Sequence, residues 1–174
     1  KEADALKTGH FLLPSGKHSN TYIQCAKLLQ YPDKAESFFK MAVKKVEHLD
    51  FDIVLGPAVG GVLISYELAR QLKKPMIYIE RENGKMVLKR GLEIKKGQKI
   101  LVAEDVITSG KTANESIELI KHLGGIVVGI FCIVNKESIK TNYRVYSCID
   151  LNFKSYEVEN CPMCKKNITL KSGK

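Results

Sequence analysis

Residues 104–112, EDVITSGKT, set two adjacent carboxylates ahead of a loop rich in hydroxyls that ends in Gly110-Lys111-Thr112. That tail matches the close of the phosphate-binding template G-x-x-x-x-G-K-[ST], but the template's first glycine falls on Asp105. A carboxylate there repels the phosphate that a glycine would let the main chain enclose, so a nucleoside triphosphate is a poor fit. Carboxylates do accept hydrogen bonds, and two in succession where a buried strand meets a loop can take the paired hydroxyls of a ribose. Thr108, Ser109, Gly110, Lys111 and Thr112 then offer main-chain N–H groups, hydroxyls and a helix N-terminus, which together seat one phosphate. Acid pair and phosphate seat together describe a ribose 5-phosphate. The plainer reading is a capped strand-to-helix turn with solvent-facing acids. Four apolar residues before the acids and a hydroxyl-glycine-helix sequence after them weigh against it.

A second glycine loop, GPAVGG at 56–61, lies between a short apolar strand and a helix, where glycines let amides approach an anion. Alone it is evenly balanced against a plain tight turn. Cys161-Pro-Met-Cys164 has the spacing of half a zinc site, but the chain has no second such pair and no His nearby in sequence, so the motif reads as metal-free. His10, His18, His48 and His122 are scattered, with His48 and His122 near helix C-termini as surface groups suited to the dipole. No Ser-His-Asp or Cys-His grouping for nucleophilic catalysis is apparent.

Strands and helices must position these loops. Asp33 to Asp50 carries Ala35, Phe38, Phe39, Ala42, Val46 and Leu49 at helical spacing behind an Asp able to cap the first turn, which predicts an amphipathic helix. Ile53-Val54-Leu55 reads as a strand, and Val62 to Leu72, apolar on more than one face, as a sheet-covering helix. Pro75 ends that helix, Met76 to Ile79 reads as a strand, and the charged segment from Glu80 to Gly91 reads as a long mobile loop. Ile100 to Ala103 is a buried strand, Thr112 to Leu123 a helix closed by Gly124-Gly125, and Ile126 to Val134 another apolar strand. This alternation predicts an α/β fold with a mostly parallel sheet covered on both faces and ligand sites beyond the carboxyl ends of the strands. Both glycine loops occupy such ends. The terminal segments read as irregular, with residues 1–32 and about 140–174 forming a cap within a single domain spanning 1–174.

A chain of 174 residues buries one core comfortably, and its 44% hydrophobic and 27% charged residues are those of a globular protein. No apolar run approaches the ~20 residues of a membrane span. The chain opens at Lys1 without Met and without an apolar leader ending at small residues, which reads as part of a longer chain rather than a processed secretory product. The net charge of +9 favours polyanionic ligands. Its cations are spread along the chain, with isolated pairs such as Lys73-Lys74, Lys89-Arg90, Lys95-Lys96 and Lys165-Lys166 and no basic run of five or more, which argues against a nucleic-acid arm. Five cysteines, with Cys25, Cys132 and Cys148 lying singly, argue against a disulfide framework and for a reducing cytoplasm.

ILVAEDVITSGKT at 100–112 resembles the phosphoribosyl pyrophosphate (PRPP) signature of the type I phosphoribosyltransferases. GHFLLPSGKHSNTYIQ at 9–24 and YIERENGKMVLKRG at 78–91 resemble the N-terminal segment and the mobile catalytic loop of the orotate phosphoribosyltransferases. CPMCKKNITL at 161–170 is similar to the ending of a bacterial and archaeal branch. The likeness implies the type I fold, a mostly parallel central sheet flanked by helices, with a small hood from the terminal segments. It implies that Glu104 and Asp105 hold the ribose hydroxyls, that Thr108, Ser109, Gly110, Lys111 and Thr112 cradle the 5-phosphate, that Val106 and Ile107 belong to the same PRPP-binding stretch, and that Gly60 and Gly61 lie at the pyrophosphate. Arg81 and Lys85 match basic residues that neutralise the departing pyrophosphate and, with the two acids, make up the implied catalytic set. Thr108, Lys136 and Tyr22 match orotate-binding positions.

The implied reaction joins orotate to PRPP, with Mg²⁺ held mainly by PRPP and not by a protein cage, and yields orotidine 5′-monophosphate and pyrophosphate for UMP synthesis. The implied assembly is a homodimer whose catalytic loop closes over the partner's site. Three departures from the family pattern bear on the base. Lys136 stands where many relatives carry Arg, keeping the charge but losing the bidentate fork. Pro14 stands where better-known members carry a base-contacting Lys, leaving Lys17 or His18 as substitutes, and Val59-Gly60 and Val87 replace a Tyr-Lys pair and a loop His of some relatives. Two other readings use the same chain: a purine-base phosphoribosyltransferase, opposed by GHFLLPSGKHS, and a non-catalytic nucleotide-sensing regulator that binds RNA or DNA, opposed by Arg81 and Lys85 and by the absence of an appended DNA-binding helix pair.

Overall fold

Runs such as Ile53-Val54-Leu55 and Ile100 to Ala103 lack the alternation of a one-sided strand, so they need cover on both faces. The computed structural model describes residues 5–13, 15–136, 140–151 and 154–172. The chain forms two compact units, one from residues 1–31 and 152–174, the other from 32–151.

The terminal unit begins with β1 (Leu6–Leu12) and β2 (His18–Ile23), an antiparallel pair with an irregular register between Thr8 and Phe11, followed by the short α1 (Ala26–Leu29). The larger unit contains α2 (Pro32–Val43), β3 (Ile53–Pro57), α3 (Gly60–Leu72), β4 (Met76–Glu82), β5 (Lys85–Leu88), β6 (Lys99–Ile107), α4 (Lys111–His122), β7 (Ile126–Asn135) and β8 (Val145–Asp150). Its six strands lie in the order β5-β4-β3-β6-β7-β8 and are parallel throughout except for the β4-β5 hairpin. The chain then returns to the terminal unit with β9 (Ser155–Tyr156), a 3-10 turn at Val158–Asn160, α5 (Pro162–Lys165) and β10 (Lys171–Ser172). The order in that sheet is β10-β1-β2-β9. Among the described residues no helix is long and apolar enough to cross a membrane.

Side chains alternate across each strand, so each central strand supplies two faces. Ile53, Leu55, Ile77, Ile79, Ile100, Val102 and Ile130 pack with Ile117 and Ile120 of α4. On the alternate face Phe131 meets Phe39 of α2, ring centroids 6.4 Å apart, and α3 buries Ile64, Leu68 and Ala69. Gln71 of α3 donates to the Glu36 carbonyl of α2 at 3.0 Å, joining the two helices that cover this side.

Three expectations are corrected. Glu80 to Gly91 is not one long loop: β4 continues to Glu82 and turns back at Asn83-Gly84, with φ of 48° and 81°. Two successive left-handed residues are what a tight two-residue hairpin turn requires, and Asn-Gly supplies them cheaply. The charges at Arg81, Glu82 and Lys85 hid the strand pattern on either side of that dipeptide. Residues 145–150, expected in the cap, form β8 beside β7; as an only partly buried edge strand it has no continuous apolar run to announce it. The terminal segments, expected to be irregular, pair as a four-stranded sheet.

Phe39 is fully buried whereas Met41, two residues on, is 65% exposed. Phe39→Ala is expected to lower the unfolding free energy by about 3–5 kcal/mol. Met41→Ala should change it by less than about 0.5 kcal/mol. Urea unfolding of the two variants checks the assignment of the buried face.

Candidate active site

β6 is fully buried from Ile100 through Ala103 and then carries Glu104 and Asp105 while still in ladder register with β7, Glu104 opposite Cys132 and Val106 opposite Val134. The acids are therefore held by a strand rather than a loop. Alternation sends them to opposite faces. Glu104 lines a small cavity of about 40 Å³ with Thr108, Ser109, Gly110, Lys111 and Thr112. That volume is on the order of one or two waters, a seat for one small group rather than a nucleotide. Asp105 turns toward the start of α3: a Cβ built on Gly60 would lie 2.6 Å from Asp105 Oδ2, so only glycine lets this loop approach the acid so closely.

Beyond the acids the chain turns at Gly110, φ 72°, and α4 begins at Lys111. The first intrahelical bond runs from the Asn114 N–H to the Gly110 carbonyl at 2.9 Å. The N–H groups before it have no carbonyl one turn back, and the positive end of the helix dipole adds to their pull on an anion. Ser109 Oγ accepts from the Lys111 N–H at 3.4 Å, which tightens the turn.

Glu104 is 7% exposed, and burial, with the Asp105 charge as the smaller cause, pushes its carboxyl up to about 8. Burial also raises Asp105, opposed by hydrogen bonds from the main chain, among them the Val106 N–H at 2.7 Å, and by the charge of Lys136. The Lys136 N–H donates to the Ile107 carbonyl at 2.9 Å, placing that cation beside the end of β6. A protonated Glu104 at neutral pH carries no charge beside the phosphate seat, yet it can still both donate and accept a hydrogen bond.

The larger unit thus gathers Gly60, Glu104, Asp105, the 106–112 turn and Lys136, with Gly61 directly following Gly60 at the start of α3. Arg81 sits on the hairpin, donating to the Gly84 carbonyl at 2.7 Å and pairing with Glu115 of α4. Lys85 is exposed and lines a shallow groove with Glu115, Glu118 and His122, not the Glu104 cavity. Tyr22 belongs to the terminal unit, where it stacks on Phe11 with centroids 5.6 Å apart. Pro14 lies outside the described residues. Sequence reasoning missed Glu115; the only signal was its position one turn beyond Lys111, to which it lies 4.0 Å distant. His10 and His18, distant in sequence, lie beside both Cys161 and Cys164, a proximity the C-x-x-C spacing gave no sign of.

Glu104 is neutral in both folded and unfolded chains below about pH 4.5 and ionised in both well above 8, so ionisation opposes folding increasingly across that interval. The full cost is on the order of 5 kcal/mol. Glu104→Gln, which never ionises, should gain in melting temperature relative to wild type as pH rises from 5 to 9. A pH-independent difference between the two melting curves would contradict the burial assigned to this carboxyl.

Residues 27–160 match the model of the phosphoribosyl transferase domain family. The chain is 45% identical over 172 residues to the orotate phosphoribosyltransferase of Caldanaerobacter subterraneus subsp. tengcongensis, covering 98% of this chain and 90% of that relative. Its fold is similar to the crystal structure of orotate phosphoribosyltransferase from Aeropyrum pernix, with a TM-score of 0.75, 24% identity and coverage of 86% and 90% of the two chains. It is also similar to adenine phosphoribosyltransferase from Thermoanaerobacter pseudethanolicus, with a TM-score of 0.66, 19% identity and coverage of 75% and 88%. The shared architecture therefore does not choose the base, whereas the near full-length identity does separate the branches. The chain belongs to the phosphoribosyltransferase family, among its orotate phosphoribosyltransferases.

Proposed function

We propose that this chain transfers the 5-phosphoribosyl group of PRPP to orotate, giving orotidine 5′-monophosphate and pyrophosphate in pyrimidine nucleotide synthesis. One observation carries the reading: two desolvated acids at the end of a central strand stand directly before the N-terminus of α4. In this assignment Glu104 and Asp105 take the ribose 2′- and 3′-hydroxyls, and the turn from Thr108 to Thr112 takes the 5-phosphate on its amides and hydroxyls. Val106 and Ile107 are the strand residues that carry the chain between these two contacts. Gly60 and Gly61, at the start of α3, face the pyrophosphate. Lys136 and Thr108 orient orotate.

Cleavage of the C1–O bond sends its electron pair to pyrophosphate and leaves the ribose carbon cation-like. A bond from orotate N1 to C1 forms, and the N1 proton departs. Such a reaction needs fixed donors and cations near the leaving group rather than a nucleophilic side chain. Arg81 and Lys85 supply those cations when the hairpin closes over a partner subunit's site in a homodimer, Arg81 exchanging Glu115 for a pyrophosphate oxygen. Closure also keeps out water that would hydrolyse PRPP.

Mg²⁺ fits as a companion of the substrate. It is a hard cation with a preference for phosphate oxygens and water, and the site offers it Glu104 and Asp105 without any third ligating side chain clustered with them among the described residues. When bound, it neutralises charge on the polyphosphate. All five cysteines are free of disulfides, which supports a reducing, cytoplasmic setting.

Purified protein with PRPP, Mg²⁺ and a panel of bases tests the reading through loss of orotate absorbance and release of pyrophosphate. Turnover of orotate but not of adenine, hypoxanthine or xanthine is expected. Purine turnover without orotate turnover would refute the substrate, and tight RNA binding with no turnover would favour a regulator. Lys85→Ala should lower kcat on the order of a hundredfold while changing orotate affinity little, because the charge it meets develops during bond cleavage. Unchanged kcat in that variant removes Lys85 from the mechanism.

A further inference from the structure

We propose that His10, His18, Cys161 and Cys164 form a tetrahedral structural zinc site that ties β1 and β2 to the C-terminal turn of the terminal unit. His10 lies on β1 and His18 at the start of β2, while Cys161 and Cys164 flank Pro162 and Met163 at the opening of α5. His10 Nε2 is 2.8 Å from His18 Nδ1, 3.5 Å from Cys161 Sγ and 3.7 Å from Cys164 Sγ, and Cys164 Sγ is 3.3 Å from His18 Nδ1. All four ligand atoms lie within 4.8 Å of one another. With zinc about 2.0–2.1 Å from nitrogen and about 2.3 Å from sulfur, a tetrahedron has N···S edges of about 3.6 Å and an N···N edge of about 3.3 Å. These three sulfur–nitrogen separations lie within about 0.3 Å of that edge, and the nitrogen pair needs to open by about 0.5 Å.

The surroundings favour a metal over a chance cluster. His10, His18 and Cys161 are 2%, 4% and 0% exposed. His10 Nδ1 lies 2.7 Å from the Ile168 carbonyl oxygen. A carbonyl can only accept, so Nδ1 carries the proton and Nε2 presents its lone pair to the other three ligands. Fixing the tautomer through the far ring nitrogen is the usual support for a metal-bound histidine. Two thiolates and two neutral imidazoles around Zn²⁺ sum to zero charge, so the set can be buried without the cost of an isolated ion. Thiolate and imidazole together select zinc over Mg²⁺ or Ca²⁺, and four protein ligands leave no open position for catalysis. His18 is then committed to the metal, which leaves Lys17 as the only one of the two suggested substitutes for the missing base-contacting lysine. The site is independent of the proposed reaction, since none of its four ligands is assigned to PRPP or orotate.

Metal analysis of the full chain, produced with zinc and passed through gel filtration, should find about one zinc per chain. The Cys161→Ser, Cys164→Ser double variant should retain at least about tenfold less. Because that variant can unfold, the wild type loaded with Co²⁺ gives a second readout: intense visible bands of tetrahedral cobalt with a thiolate charge-transfer band in the near ultraviolet. A zinc chelator should lower the wild-type melting temperature, and added zinc but not magnesium should restore it. Wild-type protein that retains neither zinc nor cobalt, or binds cobalt with an octahedral spectrum lacking the thiolate band, overturns the proposal and leaves a hydrogen-bonded His10–His18 pair in its place. Orotate turnover is measured separately, so loss of zinc and loss of the proposed reaction are distinguishable.

Discussion

Two carboxyl groups kept in strand conformation at the point where a buried strand runs out of apolar residues are the constraint on which the site depends. Glu104 and Asp105 remain in register with β7, so their positions are fixed by ladder hydrogen bonds rather than by loop sterics. Burial then raises both acids, and the cost of holding them there is met by the packed core that supports β6 on both faces. A side chain fixed this way loses little entropy when a ligand arrives, which is the advantage of building a sugar site on a strand.

The neighbouring loops follow from that placement. Asp105 admits only a residue without a side chain at Gly60, so the turn between β3 and α3 is drawn against the acid. Glu104 faces the other way, into the turn before α4, whose first-turn amides complete the seat for an anion. One strand end thereby addresses two helix N-termini, one on each side of the sheet. The hairpin cations stand apart from this arrangement: Arg81 is occupied by Glu115, and its use in chemistry requires that pairing to be exchanged.

Much of this was legible in the sequence because the larger unit obeys local rules. The apolar strands Ile53-Val54-Leu55, Ile100 to Ala103 and Ile126 to Val134 announce themselves by composition, and EDVITSGKT carries its chemistry in consecutive residues. The parts that were not legible depend on contacts distant in sequence or on weak patterns. β8 is an edge strand with polar residues, and the β4-β5 hairpin hides its alternation under charge, although Asn83-Gly84 marked the turn. The grouping of His10 and His18 with Cys161 and Cys164 spans more than 140 positions, and a C-x-x-C motif gives no hint of which distant side chains complete it.

A crystal structure of the protein with Mg²⁺ and PRPP tests the central assignment most directly. The predicted result places the ribose 2′- and 3′-hydroxyls within hydrogen-bond reach of Glu104 and Asp105, with the 5-phosphate on the amides of residues 108–112. PRPP bound elsewhere, or bound here with both carboxyls turned away from the sugar, would contradict it.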